Sequence, residues 1–387
     1  MQRLLILTAA ELTRDPRARR QVAAATAAGA KVAGLSTRLG GSPVPLNGVE
    51  IARIGRSPSD SGRPSSTRLR GPNRALRELR GVYRLGRLAS LTLAFRRAAR
   101  TLEPADVVHA NDLDTLPAAW LLARDSHARL VYDAHELYSD FESSPPHLYG
   151  AVTRALEGAL GRRADAVVTV TDEIAAELTR RFRLPRRPAV VLNCPEVDPV
   201  EPTIRSTDEP LRAVYQAAVG HTRDLSELME AARLAPSVEL TLRVLGADRS
   251  ELQAGASKLP RPPIVEEPVP PAGIIAALRD HHVGLVIDRP LGLSNELTLP
   301  NKAFEYMMAG LALVVPRVRA LVRLVEENGI GLAFDPGDPI DLARALEELA
   351  ADRARLDRYR ARARELALSR FNAEAQRPAL LRAWGAS

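Results

Sequence analysis

RLLILT at residues 3–8, DPRARRQVAAATAAG at 15–29 and KVAGLS at 31–36 succeed one another as a short apolar run, an amphipathic stretch and a second apolar run. Runs of four to six apolar residues separated by helices indicate strands buried on both faces of a parallel sheet. The pattern continues through DVVHA (106–110), RLVYDA (129–134), DAVVTV (165–170) and PAVVLN (188–193). This predicts a Rossmann-like α/β layer. Residues 194–210, CPEVDPVEPTIRSTDEP, are rich in proline and acid and lack periodicity, as a linker would be. The alternation then restarts with LRAVYQ (211–216), VELTLRVLG (238–246), PPIVEE (262–267), VGLVI (283–287), LALVV (311–315) and GIGLAF (329–334). Two tandem layers are expected to face a central cleft, with ligands beyond the carboxyl ends of the strands. After Asp338 the chain reads as almost wholly helical.

The expected domains are therefore 1–193, a linker at 194–210 and 211–371, with a last helix near 372–387 packing back on the first domain. Length agrees, since 387 residues exceed what one small core organises. A hydrophobic content of 45% with 26% charged residues describes a globular chain and excludes a disordered or collagen-like one. The opening MQRLLILTAA gives way at once to ELTRDPRARR, so it reads as a first strand rather than a signal peptide. A single cysteine, Cys194, excludes an internal disulfide and a cysteine-based zinc site, and fits a reducing cytoplasm. The formal charge is +7. Much of the excess falls between Arg63 and Arg100, where Glu78 is the sole acid. Such a segment suits phosphate-rich partners, or else is a solvated helical face. Leucine and phenylalanine interleave its arginines as in an interfacial helix, which favours an anionic membrane. Nucleic acid is disfavoured, because stacking aromatics and a recognised motif are both missing. The dinucleotide fingerprint GxGxxG is absent after the first strand, where LTAAELTRD stands, so a nicotinamide or flavin cofactor is not expected.

LTLPNKAFEYMMAGLALVV, residues 297–315, carries the strongest chemical signal. Pro300 opens a helix whose first amides would face an anion, and Lys302 adds a charge in its first turn. Together with Asn301 these suit a diphosphate. Glu305, one turn on, could accept two hydroxyl hydrogen bonds from a ribose. The alternative is a capped amphipathic helix bearing a surface Lys–Glu pair. HANDLDTLPAA (109–119) sets His109, Asn111, Asp112 and Asp114 at a strand end and in its loop, where polar groups are expected to face the cleft; for Asp114 helix capping is the expected role. DAHEL (133–137) does the same with Asp133, His135 and Glu136, although a lone histidine there is often a satisfied structural residue. Asp15 is expected to cap the helix that Pro16 begins, with Arg17 free to meet an acceptor or donor phosphate. Met307, Met308, His281 and His282 read as structural.

The PNK-x-x-EYM-x-x-G segment resembles that of the family-four GT-B glycosyltransferases. HTRDLSELMEAA (221–232), GIGLAFDPGDPIDLARAL (329–346), LRAVYQ, DPRARR, HANDLDTLPAA and DAHEL are similar to that family's counterparts, so the resemblance spans essentially the whole chain. It implies the GT-B fold and transfer of a sugar, with retention of configuration and without a metal, from a nucleotide-diphosphate-sugar held by the C-terminal domain. The acceptor hydroxyl would lie on a glycan, a lipid-linked carrier or a small molecule. By the same resemblance Arg223, Asn301, Lys302 and Glu305 would hold the donor, while His135 with Glu136 would act at the transferred sugar. Asp15, Arg17, His109, Asn111 and Asp112 would lie toward the acceptor. Two departures stand out. Counting eight back from Glu305 reaches Leu297, with Glu296 one position further, so the family's upstream glutamate is displaced and Glu296 is expected to replace it. Asp224 follows Arg223 where glycine is common. An epimerase or pseudo-glycosyltransferase on the same fold, or an anion-binding protein without catalysis, are the competing readings.

Overall fold

The computed structural model describes residues 2–38, 46, 48–56, 74–138, 146–203, 209–218, 225–247, 249–290 and 292–386. Its contacts divide the chain into a first unit of Met1–Leu192, Gly292–Ser294 and Arg377–Ser387, and a second of Asn193–Leu291 and Asn295–Gln376.

In the first unit the strands are β1 (Arg3–Thr8), β2 (Lys31–Arg38), β3 (Val49–Arg56), β4 (Val107–Asn111), β5 (Arg129–Ala134), β6 (Ala166–Thr169) and β7 (Ala189–Val190). Its helices are α1 (Pro16–Ala27), α2 (Arg74–Ala98), α3 (Leu116–Ser126), α4 (His147–Gly161) and α5 (Asp172–Phe182). All pairings are parallel, in the order β3-β2-β1-β4-β5-β6-β7. Chain order reverses direction between β1 and β4, and that switch point opens a crevice at the strands' carboxyl ends. The strands are apolar on both faces because helices cover both. Leu4, Ile6, Val107, Val131 and Val168 form a core that also takes in Leu380, Ala383 and Trp384 from the chain's end. Of PAVVLN only Ala189 and Val190 pair, as an edge strand.

The second unit repeats the plan with β8 (Leu211–Ala218), β9 (Val238–Leu245), β10 (Ile264–Glu266), β11 (Val283–Leu285), β12 (Ala312–Pro316) and β13 (Gly331–Phe334). Its helices run α6 (Leu225–Leu234), α7 (Arg249–Ala256), α8 (Ile274–Leu278), α9 (Leu293–Leu297), α10 (Asn301–Met308), α11 (Arg319–Asn328), α12 (Pro339–Ala351) and α13 (Arg353–Ser369), before α14 (Ala373–Ala383). The order β10-β9-β8-β11-β12-β13 is again wholly parallel and reverses between β8 and β11. Two Rossmann-like parallel-sheet domains are thus the fold. Residues 194–203 carry no helix or strand.

One close approach positions α10. A Cβ built on Gly284 of β11 would lie 2.2 Å from the Tyr306 ring. Glycine lets that ring lie flat on the strand, and its hydroxyl then accepts from Gln216 N (3.1 Å) and donates to Leu285 O (3.2 Å). Overpacking at such a contact costs roughly 1–3 kcal/mol. Gly284→Ala is accordingly expected to lower the unfolding free energy by that much in urea titration, and an unchanged free energy would show that Tyr306 is free to move away.

Candidate active site

Each unit gathers polar side chains at its switch point. In the first, Asp15 ends the loop after β1 and its carboxylate accepts from Arg17 N (2.9 Å) and Ala18 N (3.2 Å), with Pro16 at the first position of α1. The cap orients α1 so that Arg17 and Gln21, one turn apart, point inward. Arg17 grips Asp133 at the end of β5 through Nε (2.8 Å) and Nη2 (2.7 Å), and donates a third bond to Val191 O (2.9 Å). Gln21 Nε2 donates to Asp133 (2.9 Å) and to Asn111 (2.8 Å). Asp133 has no exposed surface. Burial opposes its ionisation, but Arg17 and the two nearby histidines outweigh that and hold its carboxyl well below the usual range.

His109 lies on the other side of Asp133, with no exposed surface and Nε2 at 3.4 Å from the carboxylate. Its Nδ1 accepts from the indole N–H of Trp384 at 3.0 Å. Indole nitrogen only donates, so Nδ1 is the bare nitrogen and the proton of the neutral ring sits on Nε2, toward Asp133. Burial lowers the pKa of His109 and keeps it neutral. Trp384 thereby selects the tautomer from the far end of the chain.

His135 follows β5 and is partly exposed, at 21%. Its Nδ1 is 3.2 Å from Asp112 and its Nε2 is 3.6 Å from Asp133. Its backbone N–H donates to Asp112 (3.3 Å). Asp112 reaches this position through a left-handed φ of 63°, a conformation that aspartate tolerates better than most residues. Burial disfavours charge on His135, but Asp112 and Asp133 prevail and raise its pKa to about 10. That value makes the ring an imidazolium at neutral pH, held between Asp112 and Asp133 with Nε2 buried on the Asp133 side. Glu136 is half-buried beside it.

One expectation is corrected here, the capping role of Asp114. Arg17, His109 and Asn111 are 5%, 0% and 2% exposed, and their polar groups are engaged with Asp133 and its neighbours. Asp114 does not cap α3, whose cap residue Thr115 turns its hydroxyl back to Asn111 O (2.7 Å) and caps nothing; the Asp114 carboxylate accepts from Tyr138 Oη at 2.6 Å.

In the second unit, α10 begins after Pro300 without a side-chain cap, and Ala303 N donates to Pro300 O (3.0 Å). Lys302 is 7% exposed, pairs with Asp288 at 2.7 Å and lies 5.0 Å from the centre of the Tyr215 ring. It is therefore not the surface lysine of a plain amphipathic helix. Glu305 is half-buried and meets Gln216 of β8 at 3.4 Å. Asn301 accepts from Asn193 at 2.5 Å. The strand ends at the β8–β11 switch point thus bring Gln216, Asp288, Lys302 and Glu305 together. Leu297 is 3% exposed, and Glu296 turns toward Arg319 of α11 (3.6 Å), lining an open pocket with Pro290, Arg317 and Arg323. Arg223 and Asp224 lie outside the described residues.

Residues 47–196 match Glycosyltransferase Family 4, and residues 214–352 match Glycosyl transferases group 1. The chain belongs to the family-four GT-B glycosyltransferases. It is similar over 98% of its length to 97% of sucrose-phosphate synthase from Thermosynechococcus elongatus, at 18% identity and a TM-score of 0.74. HepE of Anabaena in complex with UDP-glucose matches at 13% identity and 0.71, each chain covered in full. An E. coli trehalose-6-phosphate structure bound with UDP-2-fluoro glucose matches at 15% identity and 0.69, with 99% of each chain covered. No curated protein matches the chain in sequence.

Several residues of this glycosyltransferase escape sequence reasoning. Trp384 stands 275 residues from His109, and Gln21 lies in an alanine-rich helix. Glu227, 3% exposed on α6, accepts from Gly337 N (3.0 Å) and pairs with Arg289 (3.0 Å). An acid at a buried helical position was the one available signal, and it applies to Glu227 alone.

Trp384→Phe removes the N–H and shrinks the buried ring, leaving the His109 acceptor unpaired at a cost of about 1–3 kcal/mol in addition to the cavity. We expect that loss in urea unfolding, together with a mixed His109 tautomer in ring ¹⁵N spectra; unaltered stability and tautomer would deny Trp384 this role. For His135, the folded pKa of about 10 stands above the ordinary histidine value of 6.5. The cluster's contribution to stability is then complete below about pH 6.5 and is lost as pH rises toward 10. Asp112→Asn should bring the His135 titration down by about one unit or more in NMR. A ring that already titrates near 6.5 in the wild type would refute the double-carboxylate environment.

Proposed function

We propose that this glycosyltransferase moves a sugar with retention of configuration from a nucleotide-diphosphate-sugar to an acceptor hydroxyl, without a metal ion. The observation that carries the donor half is Lys302, a nearly buried cation at an uncapped helix start, with Glu305 one turn away. A diphosphate would meet the α10 amides and compete with Asp288 for Lys302 Nζ, and the ribose hydroxyls would meet Glu305. Departure of the nucleoside diphosphate develops negative charge on its β-phosphate, which fixed cations and amides stabilise. Arg223 belongs to this set by its place in the sequence, and Glu296 is assigned to the donor sugar.

On the acceptor side His135 is the group set to touch the transferred sugar. An imidazolium held by two carboxylates offsets negative charge that develops beside it; the acceptor proton would go to the departing phosphate rather than to the enzyme. Metal independence draws support from the DLD segment, since Asp112 is taken up by His135 and Asp114 by Tyr138. Among the described residues no group of three or more His, Cys, Asp or Glu is arranged to hold a metal. Uridine is the first base to try, because HepE and the E. coli protein are described with UDP-sugars. The partners in this reading are that donor, an acceptor that is a sugar, a lipid-linked carrier or a small molecule, and an anionic membrane met through residues 63–100 at the cytoplasmic face.

Thermal unfolding against UDP, GDP, ADP and dTDP and their sugar conjugates, in EDTA, tests the donor site. A ligand at about 100 times its Kd adds roughly 2.7 kcal/mol to the folded state. We expect a rise in Tm with one base, kept in EDTA and abolished in Glu305→Ala, and a product whose anomeric proton coupling matches that of the donor. No rise with any nucleotide, or inversion at the anomeric carbon, would overturn the respective half of the proposal.

A further inference from the structure

The end of β11 sends consecutive side chains to opposite faces of the second sheet. Val283, Leu285 and Ile287 share a core with Leu228 of α6 and Leu342 of α12, whereas Gly284 lies under the Tyr306 ring of α10. Successive residues of an extended chain alternate in this way, and here the alternation continues past the paired part of the strand. Asp288 meets Lys302 of α10 at 2.7 Å, and Arg289 meets Glu227 of α6 at 3.0 Å. Two acid–base pairs thus flank the β8–β11 switch point, one on each face, from neighbouring positions in the chain.

The second pair is built to hold its cation still. Glu227 is sealed in the first turn of α6, while the Arg289 side chain is 37% exposed. Glu227 Oε2 accepts from Arg289 Nε (3.3 Å) and Nη2 (3.0 Å), and Oε1 accepts from Gly337 N (3.0 Å). Gly337 has a left-handed φ of 83°, and a Cβ there would stand 3.3 Å from Arg289 Cζ. The guanidinium therefore lies in a slot between a buried carboxylate and a glycine. The carboxylate cannot follow a ligand, but the partly exposed guanidinium can receive one where it stands. Fixing the head group beforehand reduces the freedom lost when an anion binds.

We propose that Arg289 is a further cation for the diphosphate of the sugar donor, and that Glu227 is the positioning residue that aims it. This rests on the transferase reading. Lys302 and Arg289 take the diphosphate from the two faces of the crevice. The negative charge that grows on the β-phosphate as its bond to the sugar breaks then meets fixed positive charge on both sides. Arginine suits the place, because its planar fork matches phosphate oxygens and its charge persists at any working pH. Through Oε1 the same glutamate ties the turn before α12 to α6, so three strand ends of the second unit are set by one buried carboxylate.

The test is titration of the full chain in EDTA with UDP, GDP, ADP and dTDP, and with the matching nucleosides. For the base that binds, Arg289→Gln is expected to weaken the diphosphate roughly tenfold or more while the nucleoside stays within about twofold. Glu227→Gln/Arg289→Gln leaves no buried charge unpaired; it is expected to show the same selective loss, and it serves where the single variant does not fold. Glu227→Gln alone is also expected to weaken the diphosphate, because lost aim outweighs the removal of a nearby negative charge. Unchanged diphosphate affinity in the arginine variants, or an equal loss for diphosphate and nucleoside, overturns the role of Arg289. Unchanged or tighter diphosphate binding in Glu227→Gln overturns that of Glu227. Diphosphate binding that Glu305→Ala abolishes and Arg289→Gln leaves intact removes Arg289 alone and keeps the donor site. A wild-type protein that binds no nucleotide removes the donor site and the part of Arg289 with it.

Discussion

A carboxylate with no solvent contact must be matched by donors and positive charge, and meeting that demand at Asp133 organises the first unit. An isolated buried carboxylate would take up a proton or destabilise the fold by several kcal/mol. Arg17 meets it with two bonds, Gln21 with one, and His109 and His135 approach the same oxygen from either side. These groups come from three elements: α1, β4 and the turn after β5. Correct placement of Asp133 therefore requires correct packing of all three, and the Asp15 cap and Pro16 start of α1 are what aim Arg17 and Gln21 at it.

The same demand shapes His135. Asp133 Oδ2 already accepts from Arg17 and Gln21, so at 3.6 Å it attracts the His135 ring without closing a bond to it. Asp112 fixes the opposite nitrogen and the backbone. The outcome is a charged ring held in orientation between two carboxylates, with Nε2 buried on the Asp133 side. Arg17, Asp133, His135 and Asp112 pair positive with negative, so the cluster concentrates dipole rather than net charge.

The second unit uses the same crevice differently. There the fixed cation is Lys302, steadied by Asp288 and the Tyr215 ring, and the frame is Tyr306 bridging β8 and β11 above Gly284. One fold thus presents an imidazolium between two carboxylates in one unit and a nearly buried lysine at a helix start in the other.

By itself the sequence determined the two parallel α/β layers, the break near residue 193, the capped start of α1 and the anion-suited start of α10. Each is written in local terms, as apolar runs between helices, a Pro- and acid-rich stretch, Asp15-Pro16 and Pro300-Asn301-Lys302. Only the tertiary structure decided which polar residues at the strand ends are ligands-in-waiting and which are supports. Strands covered on both faces carry no alternation that marks inside from outside, so His109 and His135 look alike in sequence although one is sealed and the other reaches solvent. Nor could spacing reveal that Asp114 answers to Tyr138, that Glu78 serves α4, or that Trp384 sets the His109 tautomer. Those partners are 24, 69 and 275 residues apart, and only the folding of the sheet and its helices brings them within hydrogen-bonding distance.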